Sequence, residues 1–159
     1  MFMKNCKIKI PAIILNRGFW IYVVQIIDSE NQKYYYVGMT GDTSSFNAAA
    51  LFVRLGRHLD TKEKAKGNTL FRAIKKEGLN LDKLDFEIMG FYLAPENKQR
   101  HRKIREEIAI LEDRLHKDLK LAGYNVLGTH WPKKESIVPK HREKDYSEII
   151  NLVKENFKK

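Results

Sequence analysis

Read in order along the chain, the side chains able to do acid–base or phosphate chemistry include, among seven tyrosines and five histidines, Tyr22 and Tyr36, then Arg54 and His58, then Glu112 and Asn125. A phenol acts as a general base only if its ordinary pKa of about 10 is lowered, and a nearby guanidinium or metal ion does this by favouring the phenolate. Arg54 is the candidate guanidinium. Its planar fork also matches phosphate oxygens bidentately and stabilises the charge that builds up during phosphoryl transfer. His58 follows Arg54 by four residues, so one helical face brings both to the same place. Other machinery is missing from the sequence. There is no Gly-x-x-x-x-Gly-Lys phosphate loop, no pair of helical histidines around a glutamate and no serine elbow. The five histidines, at 58, 101, 116, 130 and 141, have no metal-ligand spacing. Each singled-out residue also has an ordinary reading, as strand packing for a tyrosine or a solvated helix face for Arg54 and Glu112.

The elements that must position these groups are readable from the pattern. Residues 19–27, FWIYVVQII, and 33–39, KYYYVGM, are β-branched and aromatic, and the polar turn 28–32 between them predicts a hairpin. In that hairpin Tyr22 and Tyr36 present their phenols to one face; Tyr34 shares the parity of Tyr36 and Tyr35 points the other way. A helix capped by Ser45 or Asn47 is expected to carry Leu51, Leu55 and His58. A second, capped by Asn68 and closed by Gly78, carries Leu70, Phe71 and Ile74. Phe86 to Leu93 reads as a third strand. Pro95 then precedes a long helix with Ile104, Ile108, Leu111, Leu115 and Leu119 on one face, ending at Gly123. The order is ββααβα, an α+β fold with a small three-stranded antiparallel sheet covered by helices. Residues 146–157 predict an appended C-terminal helix through Ile149, Ile150, Val153 and Phe157.

Composition narrows the partner. Thirty Lys and Arg against 20 Asp and Glu give a net charge of +10, which attracts anions and makes nucleic acid the leading partner. A single cysteine, Cys6, excludes an internal disulfide and a thiolate zinc cage, and predicts a reducing, intracellular compartment. The apolar runs at 11–15 and 19–27 are too short for a signal-peptide core or a bilayer span, so a soluble protein without a membrane partner is expected.

Trp20-Ile21-Tyr22, followed after a hairpin turn by Tyr36-Val37-Gly38, resembles the pair of tripeptides that names the GIY-YIG nuclease family. Trp20 stands where the first glycine is usual. Arg54 with His58, Glu112 on the long helix, and Gly123-Tyr124-Asn125 follow in the family's order, so the resemblance spans residues 18–128. It implies a DNA endonuclease, a phosphodiester hydrolase dependent on Mg²⁺ or Mn²⁺, with its site across the sheet face and adjoining helices. In that reading Tyr22 or Tyr36 activates water, and Arg54 and His58 assist. Glu112 is the metal ligand, and Asn125 orients the site or contacts the backbone. One carboxylate suffices because Mg²⁺ keeps several waters and takes oxygens from the phosphate. Gly38 and Thr40 are expected to shape the loop beside the site, and the bulk of Trp20 is expected to crowd it.

Residues 1–17 form an N-terminal extension and 129–159 a basic tail on this division. Lys98, Arg100, Arg102, Lys103 and Arg105 crowd the start of the long helix, where positive charge opposes the macrodipole and a phosphate backbone would supply the reason. Lys133, Lys134, Lys140, Arg142 and Lys144 add a second basic stretch, with Trp131 placed to stack on a base. The alternatives are a catalytically silent nucleic-acid-binding module of the same fold and an RNA-directed nuclease.

Overall fold

The computed structural model describes residues 7–128 and 137–158. Two strands come first, β1 (Gly18–Ile27) and β2 (Lys33–Met39), then helices α1 (Leu51–His58) and α2 (Thr69–Lys76). Strand β3 (Asp85–Pro95), helix α3 (His101–Leu121) and helix α4 (Glu143–Asn156) complete the chain. The fold is α+β, and its antiparallel sheet has the order β2-β1-β3. The hairpin turn occupies 28–32 as expected, with Asp28 Oδ1 accepting from the backbone N–H groups of Glu30 and Gln32 at 2.9 Å and Asn31 at φ 60°. Such a side-chain-braced turn fixes the pairing register on either side.

Burial explains why β1 reads as a nearly unbroken apolar run. It is the central strand and is covered on both faces, so neither parity is free to be polar. One face, with Phe19, Ile21, Val23, Tyr35 and Val37, packs on Ile104, Ile108, Leu111, Leu115 and Leu119 of α3. The other, with Trp20, Tyr22, Val24, Tyr34 and Tyr36, packs on Leu51 and Leu55 of α1 and Leu70 and Ile74 of α2. The tyrosine parity expected from the hairpin is therefore present.

Several local expectations need correction. Ser45 and Asn47 do not cap α1: Ser45 donates to Asp42 Oδ2 at 2.8 Å, Asn47 Nδ2 donates to Ser45, and Ala50 stands at the N-cap with no side-chain bond. These polar groups satisfy the 42–47 loop instead, an alternative always open to Ser, Asn and Asp. Asn68 does occupy the N-cap of α2, but its amide donates to the carbonyls of Asp60 and Lys62 and ties down the preceding loop. Pro95 precedes α3 as expected, standing at the end of β3 six residues before the helix starts. Gly78 and Gly123 are helix stops as read, with φ of +75° and +85°.

The C-terminal helix is integral to the fold. Ile149, Val153 and Phe157 belong to the larger core cluster. Arg142 adds a tether, donating to Glu107 on α3 at 3.3 Å and to Asp145 at 2.9 Å. That guanidinium is spent on internal pairs, so it is not part of the basic surface expected of the tail. Trp131, Lys133 and Lys134 lie outside the described residues. Among the described residues no helix is long and apolar enough to cross a membrane.

Candidate active site

Register brings the two phenols together. Tyr22 stands opposite Gly38 and Val24 opposite Tyr36, which makes Tyr22 and Tyr36 diagonal neighbours on the face that meets α1 and α2. The Tyr22 ring lies across Gly38, where a Cβ would stand 2.4 Å from the phenol oxygen. Glycine is needed there because the phenol fills the space a side chain would take.

Helix α1 offers Arg54 and His58 from one face, as their spacing predicts. His58 is buried, and its Nε2 lies 2.9 Å from the Tyr22 hydroxyl. Its Nδ1 lies 2.7 Å from the hydroxyl of Thr69, the first residue of α2, and that hydroxyl lies 3.0 Å from the Tyr36 hydroxyl. Tyr22, His58, Thr69 and Tyr36 thus form one continuous hydrogen-bonded chain drawn from four elements. Sequence reading missed Thr69. Next to Asn68 at a helix start it has the look of capping chemistry, and no spacing rule joins it to His58 eleven residues earlier.

Electrostatics modify the expected roles. Burial, aided by the charge of Arg54, lowers the His58 pKa to about 3, so the imidazole is neutral at physiological pH. Burial pushes the Tyr22 phenol well above its ordinary value, and neighbouring Tyr36 adds to that. Tyr36 is raised too, again chiefly by burial. Arg54 does pull both phenols down, the direction anticipated, but desolvation wins at both, so the expected net lowering is absent. Arg54 itself is half-buried, and among the described residues its Nε has no hydrogen-bond partner. A buried guanidinium nitrogen left this way is prepared to meet an anion.

Glu112, half-buried on α3, is close enough for its charge to raise both phenols. Among the described residues no group of three or more His, Cys, Asp or Glu forms a metal cage. A single carboxylate oxygen donor fits Mg²⁺ or Mn²⁺, hard ions that bind through few protein ligands and keep water.

Asn125 is placed by a short parallel bridge. After α3 the chain runs beside β2, where Tyr35 N–H donates to the Asn125 carbonyl at 2.9 Å and Leu127 N–H donates to the Tyr35 carbonyl at 2.7 Å. Asn125 there lines an open groove of about 430 Å³ with Tyr36, Thr69, Arg72, Lys76 and Gly128. Arg72 and Lys76, one turn apart on α2, were not singled out from sequence because nothing distinguishes them from other basic helix residues. Tyr36 is the phenol at the groove edge, whereas Tyr22 is wholly buried behind it.

Trp20 does not crowd this chain of groups. It shares the face of Tyr22 but packs edge-on against Tyr92 of β3 at 4.9 Å, and its indole N–H donates to the Asn16 carbonyl. It fastens the N-terminal segment. Thr40 likewise acts at the strand start, donating to the Gly18 carbonyl at 2.6 Å and accepting from Trp20 N–H at 2.9 Å. Lys98, Arg100, Arg102 and Lys103 are exposed around the start of α3, and Arg105 is half-buried. The Arg102 guanidinium sits 5.9 Å above the Phe46 ring. The cluster surrounds the start of α3, and that start lies eleven residues before Glu112, about 16 Å along the helix. It is separate from the tyrosine cluster. Compared with protein-family models, characterised proteins and solved structures, the chain finds no match.

Proposed function

We propose that this chain is a metal-dependent DNA endonuclease of GIY-YIG type. The observation that carries the reading is the bonded chain of Tyr22, His58, Thr69 and Tyr36, with Arg54 and Glu112 beside it, at the edge of a groove walled by Arg72 and Lys76. A phosphodiester seated in that groove finds cations on one wall and the Asn125 amide on the other. Arg54, whose Nε has no hydrogen-bond partner among the described residues, offers its guanidinium to the phosphate oxygens, where a planar fork stabilises charge gained in the transition state. Tyr36 is the phenol that meets the attacking water. His58, held neutral, accepts a hydrogen bond from Tyr22 and does not add a second positive charge beside Arg54. Glu112 is the residue that would hold Mg²⁺ or Mn²⁺, and such an ion neutralises the phosphate and stabilises the leaving oxygen. The exposed Lys98, Arg100, Arg102 and Lys103 supply a second contact to the DNA backbone, giving affinity without sequence information.

The complete burial of Tyr22 and the raised phenols favour one rival, a silent binding module of the same architecture. Wild type and Glu112→Ala on a labelled DNA duplex separate the two. The nuclease reading expects cleavage by the wild type, a loss of about 100-fold or more in the variant and binding changed by no more than about twofold. Binding without cleavage by the wild type supports the module; the same protein cutting only RNA would move the substrate, not the chemistry.

A further inference from the structure

Proton positions along the Tyr22–His58–Thr69–Tyr36 chain follow from its chemistry. Tyr22 is wholly buried, so its O–H requires an acceptor within the protein. Arg54 beside it only donates. Among the described residues the acceptor in reach is His58 Nε2, at 2.9 Å. An accepting Nε2 makes neutral His58 the Nδ1–H tautomer, and that N–H points at Thr69 Oγ1, 2.7 Å away, which must therefore accept. The Thr69 hydroxyl proton is then directed to the Tyr36 oxygen at 3.0 Å, and Tyr36 keeps its own proton for the groove it lines.

We propose that Tyr22 fixes the tautomer of His58 and that Thr69 is a positioning residue that accepts from its Nδ1–H and completes a proton wire from buried Tyr22 to groove-facing Tyr36. The existence of the wire rests on geometry alone; its use in DNA cleavage rests on the nuclease reading. When Tyr36 gives its proton to an acceptor in the groove, the Thr69 proton moves to Tyr36, the Nδ1 proton to Thr69, and the Tyr22 proton to Nε2. One proton is delivered and one phenolate remains, at Tyr22 beside Arg54. His58 stays neutral throughout, exchanging one tautomer for the other. Run in reverse, the ionised chain takes a proton from water at Tyr36 and leaves hydroxide in the groove. The two tyrosines then divide one task, Tyr36 as the port and Tyr22 as the buried end of the wire, where burial opposes the phenolate and the charge of Arg54 offsets part of that cost.

Long-range ¹H–¹⁵N correlation on histidine-labelled protein near pH 8 reads the tautomer directly. The expected result is Nδ1–H for His58 in the wild type and in Thr69→Ser, and loss of that preference in Tyr22→Phe, with backbone amide spectra confirming that each variant is folded. An Nε2–H tautomer in the wild type, or a tautomer indifferent to Tyr22→Phe, overturns the proposal. In the cleavage assay Thr69→Val is expected to lower kcat about 100-fold with KM changed by no more than about twofold, and Thr69→Ser to recover most of it. An unchanged kcat in Thr69→Val overturns the wire as a functional device. A wild type that cuts no nucleic acid overturns the nuclease reading alone, since the tautomer experiment still decides whether Tyr22 fixes His58 in the Nδ1–H form.

Discussion

Gly38 shows how much of the site depends on one absent side chain. A Cβ there would meet the Tyr22 oxygen and ring at 2.4 Å, so Gly38→Ala must displace the phenol that His58 binds. Overpacking of this kind costs about 1–3 kcal/mol. The expected outcome is a folded protein of lower stability with cleavage reduced by about tenfold or more, read by denaturant unfolding beside the activity assay. His58 is testable through pH. A histidine with an unfolded pKa near 6.5 and a folded pKa of about 3 is neutral in both states above pH 6.5, and below that the unfolded chain takes the proton first. Its contribution to stability is therefore complete above pH 6.5 and is lost as pH falls toward 3. Melting of the wild type between pH 6.5 and 4 should show a steeper acid loss than His58→Asn, by up to about 1.4 kcal/mol per pH unit. At this scale Tyr22, Tyr36, Arg54, His58, Glu112 and Asn125 stood out through the order and spacing by which they resemble the GIY-YIG pattern, since each residue taken alone has an ordinary reading. Thr69, Arg72 and Lys76 stayed hidden because their significance is purely spatial.

The elements succeed as positioning devices for reasons that differ in legibility. The hairpin was readable because β-branched and aromatic runs flank a turn braced by Asp28, and this alone put Tyr22 and Tyr36 on one face. The buried stripe of α3 was readable from its spacing, and Gly123 from its required left-handed φ. Helix starts were not, because Ser45, Asn47 and Asn68 bond loop backbone or one another when a nearer partner exists. The role of α4 was also under-read: a weak stripe in a polar tail gives no hint that Phe157 will sit against Tyr35, with ring centroids 6.2 Å apart. Phe157→Ala should cost about 3–5 kcal/mol if α4 is part of the core, measured as a shift in the urea midpoint. A change below about 1 kcal/mol would return α4 to the status of an appendage.

For the molecule as a whole, +10 of net charge surrounds a core in which one strand is buried on both faces, and the bonded chain from Tyr22 to Tyr36 lies on the side that meets α1 and α2, while Glu112 is supplied from α3. Among the many exposed basic residues, Arg72 and Lys76 line the groove by Asn125 and another group surrounds the start of α3. That arrangement suits a polyanion long enough to touch both, and the reactive cluster borders the first. The most direct measurement is the conversion of supercoiled plasmid to nicked and linear forms by purified wild-type protein, with Mg²⁺ or with excess chelator. The account predicts nicking and linearisation in Mg²⁺ that chelator stops. Plasmid left supercoiled in Mg²⁺ while the protein still binds it in a salt-sensitive manner would contradict the account.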